Sequence, residues 1–190
     1  MLKQQRGFSL IELIVGMAIF GILLALAIPS FSGWLRNTKL RTAAESLQNG
    51  LQLARAEAVR RNTAVRFQLV TTTDSSCALD TGGPHWVVSL DDASGKCDVA
   101  PSDTDPRIIQ LRNRTDGSDS NTVLAAGQPS FVFNGLGRLT SAASTINITH
   151  SVVACGTATD SARCLRVAVS AGGQIRMCDP ALPTGDAQGC

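Results

Sequence analysis

The residues able to do chemistry are few in this chain. It has six cysteines, two histidines and one carboxylate, Glu12, at the mouth of a long apolar run. His85 sits beside Trp86 and His150 ends a candidate strand. Neither has a Cys-x-x-Cys or a carboxylate at a spacing that would orient it for acid–base or metal work. Gly-x-Ser-x-Gly, His-Glu-x-x-His and a phosphate-cradling glycine loop are all missing from the sequence. Asp103-Thr-Asp105 and Asp116-Gly-Ser-Asp119-Ser-Asn121 could offer oxygen ligands to calcium. They match no EF-hand spacing and read as solvated Asx-turn loops. The chain therefore reads as a non-enzyme, with no catalytic residue, metal or cofactor expected.

Composition narrows the class further. The 190 residues suffice for one ordinary domain plus an appendage. Seventeen Lys and Arg face fifteen Asp and Glu, for a net charge of +2, which excludes a globally basic nucleic-acid binder. Hydrophobic residues at 44% and charged ones at 17% allow a buried core and exclude intrinsic disorder. Aromatics make up 4%, with no Tyr, so stacking platforms for bases or sugars are poorly supplied.

Glu12 matters because of its setting. Lys3 and Arg6 precede an apolar run from Phe8 to Ile28, and Leu13–Ile28 holds no polar side chain. As a helix, Phe8–Ile28 would rise about 32 Å, enough to cross a bilayer. The basic residues before it predict a cytoplasmic N-terminus. The run is too long for a secretory signal peptide and lacks a clean small-residue cleavage site before Pro29. A plain membrane anchor has no reason to keep a carboxylate that costs a few kcal/mol at the edge of a span.

Arg6-Gly7 followed by Phe8-Ser9-Leu10-Ile11-Glu12 resembles the leader and methylation motif of bacterial type IV pilins and type II secretion pseudopilins. The resemblance implies a leader of residues 1–7, cleavage by the prepilin peptidase between Gly7 and Phe8, and methylation of Phe8. It also implies that Glu12 pairs with a neighbouring subunit's N-terminal ammonium inside an apolar filament core, and that Gly21 to Pro29 lose helix in a filament. Leu53–Phe67, Ser130–Leu139, Cys164–Ser170 and Gly173–Cys178 resemble the H-type pseudopilin and FimT/FimU minor-pilin domain. The expected fold is α+β and type IV pilin-like: a long N-terminal helix packed on an antiparallel sheet or sandwich-like head. Residues 8–29 would be the transmembrane and filament-core helix, 30–62 an amphipathic helix and 63–190 a β-rich head. The implied home is the inner membrane of a Gram-negative bacterium, crossed once with the head in the periplasm, and then a pilus or pseudopilus. The implied partners are other minor and major pilins or pseudopilins.

The elements behind these residues are legible in the periodicity. Leu40, Ala44, Leu47, Leu51, Ala54 and Ala58 recur at helix spacing and predict a stripe that packs on a sheet. After Asn62 the period changes to two. Candidate strands are Ala64–Thr71, His85–Leu90, Arg107–Leu111, Val123–Ala125, Ser130–Phe133, Thr145–Thr149, Cys164–Val169 and Gly173–Met177. Val65, Phe67 and Leu69 alternate with polar neighbours, which predicts a half-buried strand.

All six cysteines, Cys77, Cys97, Cys155, Cys164, Cys178 and Cys190, fall in the head and read as disulfides formed outside the cytoplasm. Fifteen connectivities are open. A sequential pairing is expected, because each pair would then close a loop lacking regular pattern. The last pair resembles the C-terminal disulfide-bounded loop of pilins, and this likeness favours a pilus over a secretion machine.

A DNA-capturing role is the remaining alternative. Some minor pilins of the FimT kind carry a Gly-Arg-x-Arg signature near the C-terminus, and Gly173-Gln-Ile-Arg176 matches it at one arginine. Arg163 and Arg166 lie nearby and could add phosphate contacts. However, residues 64–190 carry nine basic side chains and twelve aspartates, a net of −3. Affinity for phosphate comes from a concentrated positive patch, so DNA is not favoured as a partner.

Overall fold

The computed structural model describes residues 9–113, 118–158, 160–183 and 185–190, with the side chains of residues 24–30 left aside. Gly7, Phe8 and Asp116 lie outside the described residues. The first element, α1, is a 52-residue helix from Leu10 to Arg61, close to 78 Å long at helical rise. Ser9 caps its start in an extended conformation and Asn62 ends it at φ 49°, the left-handed conformation usual after a helix. Arg60 and Arg61 in the last turn both bond Glu57, one turn back. The helix runs unbroken past Gly21 and Pro29 in the isolated chain.

Eight strands follow: β1 Val65–Val70, β2 His85–Ser89, β3 Ile108–Arg112, β4 Thr122–Ala126, β5 Ser130–Phe133, β6 Ser144–His150, β7 Leu165–Val169 and β8 Ile175–Cys178. They form two four-stranded sheets, ordered β3-β2-β1-β5 and β4-β6-β7-β8. Every pairing within them is antiparallel. All eight expected strands are present, with ends displaced by at most two residues. Both sheets turn an inner face to the second half of α1, and the six stripe residues from Leu40 to Ala58 are all buried there.

Gly50 explains how the helix approaches so closely. A Cβ at this position would stand 2.8 Å from the Phe67 ring and 3.0 Å from the Trp86 ring. Both rings are buried and packed on one another, so neither can retreat cheaply. Gly50→Ala gains about 1 kcal/mol of helix propensity and meets overpacking of about 1–3 kcal/mol. A net loss of stability is the expected result in a thermal melt of the purified protein.

One expectation is corrected. β1 is not half-buried: Gln68 and Val70, on its outer face, are as buried as Phe67 and Leu69. The loops around Cys77 and Cys97 fold back over that face and build a second small core with Val70, Val87, Ala93 and Ile108. The Cys77–Cys97 disulfide lies inside it. Gln68 survives burial because its carbonyl accepts the Ala93 N–H at 3.0 Å and its amide donates to Asp92 at 2.9 Å.

These straps carry acid-sensitive carboxylates. The Arg107 guanidinium holds the Asp91 carboxyl below the usual carboxylate range. The Ser94 N–H and the Gln68 amide do the same for Asp92, and the Ser76 hydroxyl and N–H for Asp74. With pKa values lower in the folded state, their stabilisation is complete above the unfolded range and is lost as pH falls through and below about 4. Melting temperature should be flat near neutrality and drop below that pH, and Asp91→Asn should reduce the drop.

Candidate functional site

The first helical turns set the geometry of the stalk. Ser9 Oγ accepts the backbone N–H of Glu12 at 3.3 Å. Glu12 thus occupies the third helical position after the cap, where a negative charge favours the N-terminal end of the helix. Ser9-x-x-Glu12 is capping-box spacing, a signal that was available in the sequence. From Leu10 to Leu23 every large apolar side chain leaves about half or more of its surface exposed. Glu12 is the one charged residue in that stretch. A helix that is apolar all round has no soluble solution on its own; it must be buried in lipid or among other helices. Among the described residues no helix is long and apolar enough to cross a membrane. The expected span of residues 8–28 lies partly outside them.

The head holds the other sequence-nominated residues. Cys77 joins Cys97, Cys155 joins Cys164 and Cys178 joins Cys190, the sequential order. The last bond ties the chain end to β8. The segment it closes is held at two further points: Asp179 N–H donates to the Gln188 carbonyl at 2.8 Å, and the Arg176 guanidinium donates to the Gly189 carbonyl at 2.6 Å.

Each of the three arginines nominated for phosphate holds a protein partner. By register, Arg166 and Arg176 are diagonal neighbours on one face of the second sheet. Arg166 donates to Asn147 at 2.7 Å. Arg163 forms an ion pair at 2.9 Å with Asp179, whose side chain is 4% exposed. Arg176, an exposed residue of β8, also clasps the C-terminal loop. Gly173 has its own packing reason: at φ +82°, an added Cβ would overlap the Gly137 carbonyl oxygen. That same oxygen accepts Arg55 Nε at 3.1 Å.

Between α1 and this region lies a groove of about 470 Å³, lined by Trp34, Asn37, Arg41, Arg163, Met177 and Gln188 among others. Its two guanidinium groups are already matched, Arg41 by Glu45 and Arg163 by Asp179. The described residues hold no cluster of three or more potential metal ligands.

A long capped helix, apolar at one end and packed on antiparallel sheets at the other, joins a head closed by disulfides. The family described as "Type II transport protein GspH" matches residues 43–173, well over half the chain. The chain belongs to this family of type IV pilin-like proteins. A "Prokaryotic N-terminal methylation motif" matches residues 2–28, the segment that holds Gly7, Phe8 and Glu12.

Relatives agree with that placement. A fimbrial protein of Pseudomonas aeruginosa is 31% identical over 58% of this chain and 68% of its own. The prepilin peptidase-dependent protein D of Escherichia coli K12 is 32% identical over 71% and 70%. The crystal structure of the Pseudomonas aeruginosa PAO1 type IV minor pilin FimU shares the fold. Its TM-score is 0.51 at 18% identity, over 76% of this chain and 92% of that one. The protein is therefore a minor pilin or pseudopilin of the type IV pilin family. Members of that family assemble with other pilins and are processed by a prepilin peptidase, and the N-terminal motif marks an envelope protein anchored in a membrane.

Proposed function

We propose that this chain is a structural, non-enzymatic minor pilin that enters a type IV pilus and helps start its assembly. After cleavage at Gly7/Phe8 and methylation of Phe8, the N-terminal helix packs among equivalent helices. Glu12 sets its register through a neighbour's N-terminal ammonium, and the head docks other minor and major pilins. Before assembly the subunit waits in the inner membrane, with its N-terminus in the cytoplasm and its head in the periplasm. The observation that carries this reading is the stalk: helical, apolar on every side from Leu10 to Leu23, and holding a single charge at Glu12.

The family's description as a type II transport protein favours a second reading, a pseudopilin of a secretion machine. The fimbrial name of the Pseudomonas relative favours the pilus. Both use the same helix packing and differ in partners. Deleting the gene in its own bacterium separates them. Loss of surface pili with protein secretion intact is expected, and the reverse result assigns the chain to secretion. DNA capture would draw on Arg163, Arg166 and Arg176, each of which already holds a protein partner. Salt-sensitive DNA binding abolished by Arg176→Ala would favour it nonetheless.

A further inference from the structure

Eight aromatic side chains serve the whole chain, and two of them, Phe31 and Trp34, stand exposed at the junction of stalk and head. They are 62% and 61% exposed, one helical turn apart, with ring centroids 5.7 Å from each other. Trp34 borders the groove between α1 and the head, yet stays mostly exposed. The buried stripe of α1 begins only at Leu40.

Their height along the helix is informative. If the apolar run ends at Ile28, Phe31 and Trp34 lie about 4.5 and 9 Å further along the axis. The headgroup layer on each face of a bilayer is roughly 5–8 Å deep. Helical side chains slant back toward the N-terminus, which lowers both rings into that layer. A ring with a polar edge such as the Trp34 indole settles there, apolar body toward the acyl chains and N–H toward water, and the neighbouring Phe31 ring adds apolar area on the acyl-chain side. The charges obey the same boundary. From Leu13 to Ala44 the only charged residues are Arg36, Lys39 and Arg41, all basic and all beyond Trp34. The head starts at the same level: Arg36 donates to the Ser161 carbonyl and Asn37 accepts the Arg163 N–H at 3.0 Å. Aromatic pair, basic residues and underside of the head therefore follow one another within about three helical turns.

We propose that Phe31 and Trp34 form an interfacial anchor that seats the unassembled subunit on the outer face of the bilayer, with the head resting just above the headgroups. The partner is the lipid surface itself. The anchor fixes the depth of the span and the height at which the head is offered to the assembling filament. This inference rests on the membrane-span reading of residues 8–28.

The chain supplies its own reporter, because its two tryptophans differ. Trp34 is exposed, whereas Trp86 is 5% exposed and donates its indole N–H to Ser46. The full-length chain is reconstituted into phosphatidylcholine vesicles, and retention through flotation at alkaline pH reports the span. The emission of Trp34 is obtained by subtracting the spectrum of Trp34→Phe. Lipids brominated near the glycerol end should quench about half or more of that emission and chain-end bromines much less, with a blue-shifted maximum. A retained chain whose Trp34 emits at long wavelength and yields to acrylamide, but not to bromolipid, overturns the anchor alone and leaves the pair as a contact for a neighbouring subunit. A chain that does not stay with the vesicles overturns both the anchor and the span.

Discussion

Glu12→Gln is expected to leave the head folded and to remove the subunit from filaments. The side chain sits in the first turn of α1, far along the helix from the core that begins at Leu40. The melting temperature of the head should therefore not change. In the filament the substitution keeps the volume and deletes the charge, leaving a neighbour's buried ammonium without its counter-ion. Breaking one member of a buried pair costs about 3–5 kcal/mol, a factor of more than about 100 in occupancy. The readout is the ratio of this subunit in sheared filaments to that in membranes. Ser9→Ala is the control. It removes the hydroxyl that caps Glu12 N–H, worth about 1 kcal/mol, and should lower incorporation far less. Equal losses from both variants would mean that Glu12 acts through the helix cap and not through a partner.

Gly173→Ala carries the second large effect. Alanine at φ +82° is strained by about 1–2 kcal/mol. Its Cβ also collides with the Gly137 carbonyl oxygen, a backbone atom fixed by Arg55. The combined loss should reach about 3 kcal/mol, lowering the melting temperature by roughly 6–12 °C in a chain of this size. Gly172→Ala next door meets nothing closer than Ser170 Oγ at 3.8 Å, and should change little. The contrast assigns Gly173 to the docking of the β7–β8 turn on the β5 turn. As a fragment of a DNA-related signature, Gly173 would be expected to affect binding and not folding.

Much of this architecture was readable in order. The Leu40–Ala58 stripe, the change of period after Asn62 and the eight alternating segments all reappear in the structure, because helix and strand periodicity are local properties. The disulfide pairs are sequence neighbours, so loop closure alone ordered them correctly. Other features depended on which loop returns to which surface. Alternation at Val65, Phe67 and Leu69 marked one buried face of β1, yet nothing local shows that the Cys77–Cys97 loops bury the other. The bonds of Arg163 and Arg176 are not legible locally, because their acceptors, Asp179 and the Gly189 carbonyl, lie more than ten residues away. The close packing at Gly50 is likewise non-local, since the Phe67 and Trp86 rings against it come from β1 and β2. The Ser9–Glu12 cap, by contrast, is a local feature, legible from its three-residue spacing.

The proposed function needs one event above all, conversion of the N-terminus from Met1 to a methylated Phe8 followed by entry into a filament. Intact-mass and N-terminal peptide measurement on filaments sheared from the native bacterium tests it directly. The predicted result is this chain in the filament fraction, beginning at N-methyl-Phe8 and carrying three intact disulfides. A chain that keeps residues 1–7, or that is processed yet never leaves the membrane fraction while pili and secretion proceed normally, would contradict it.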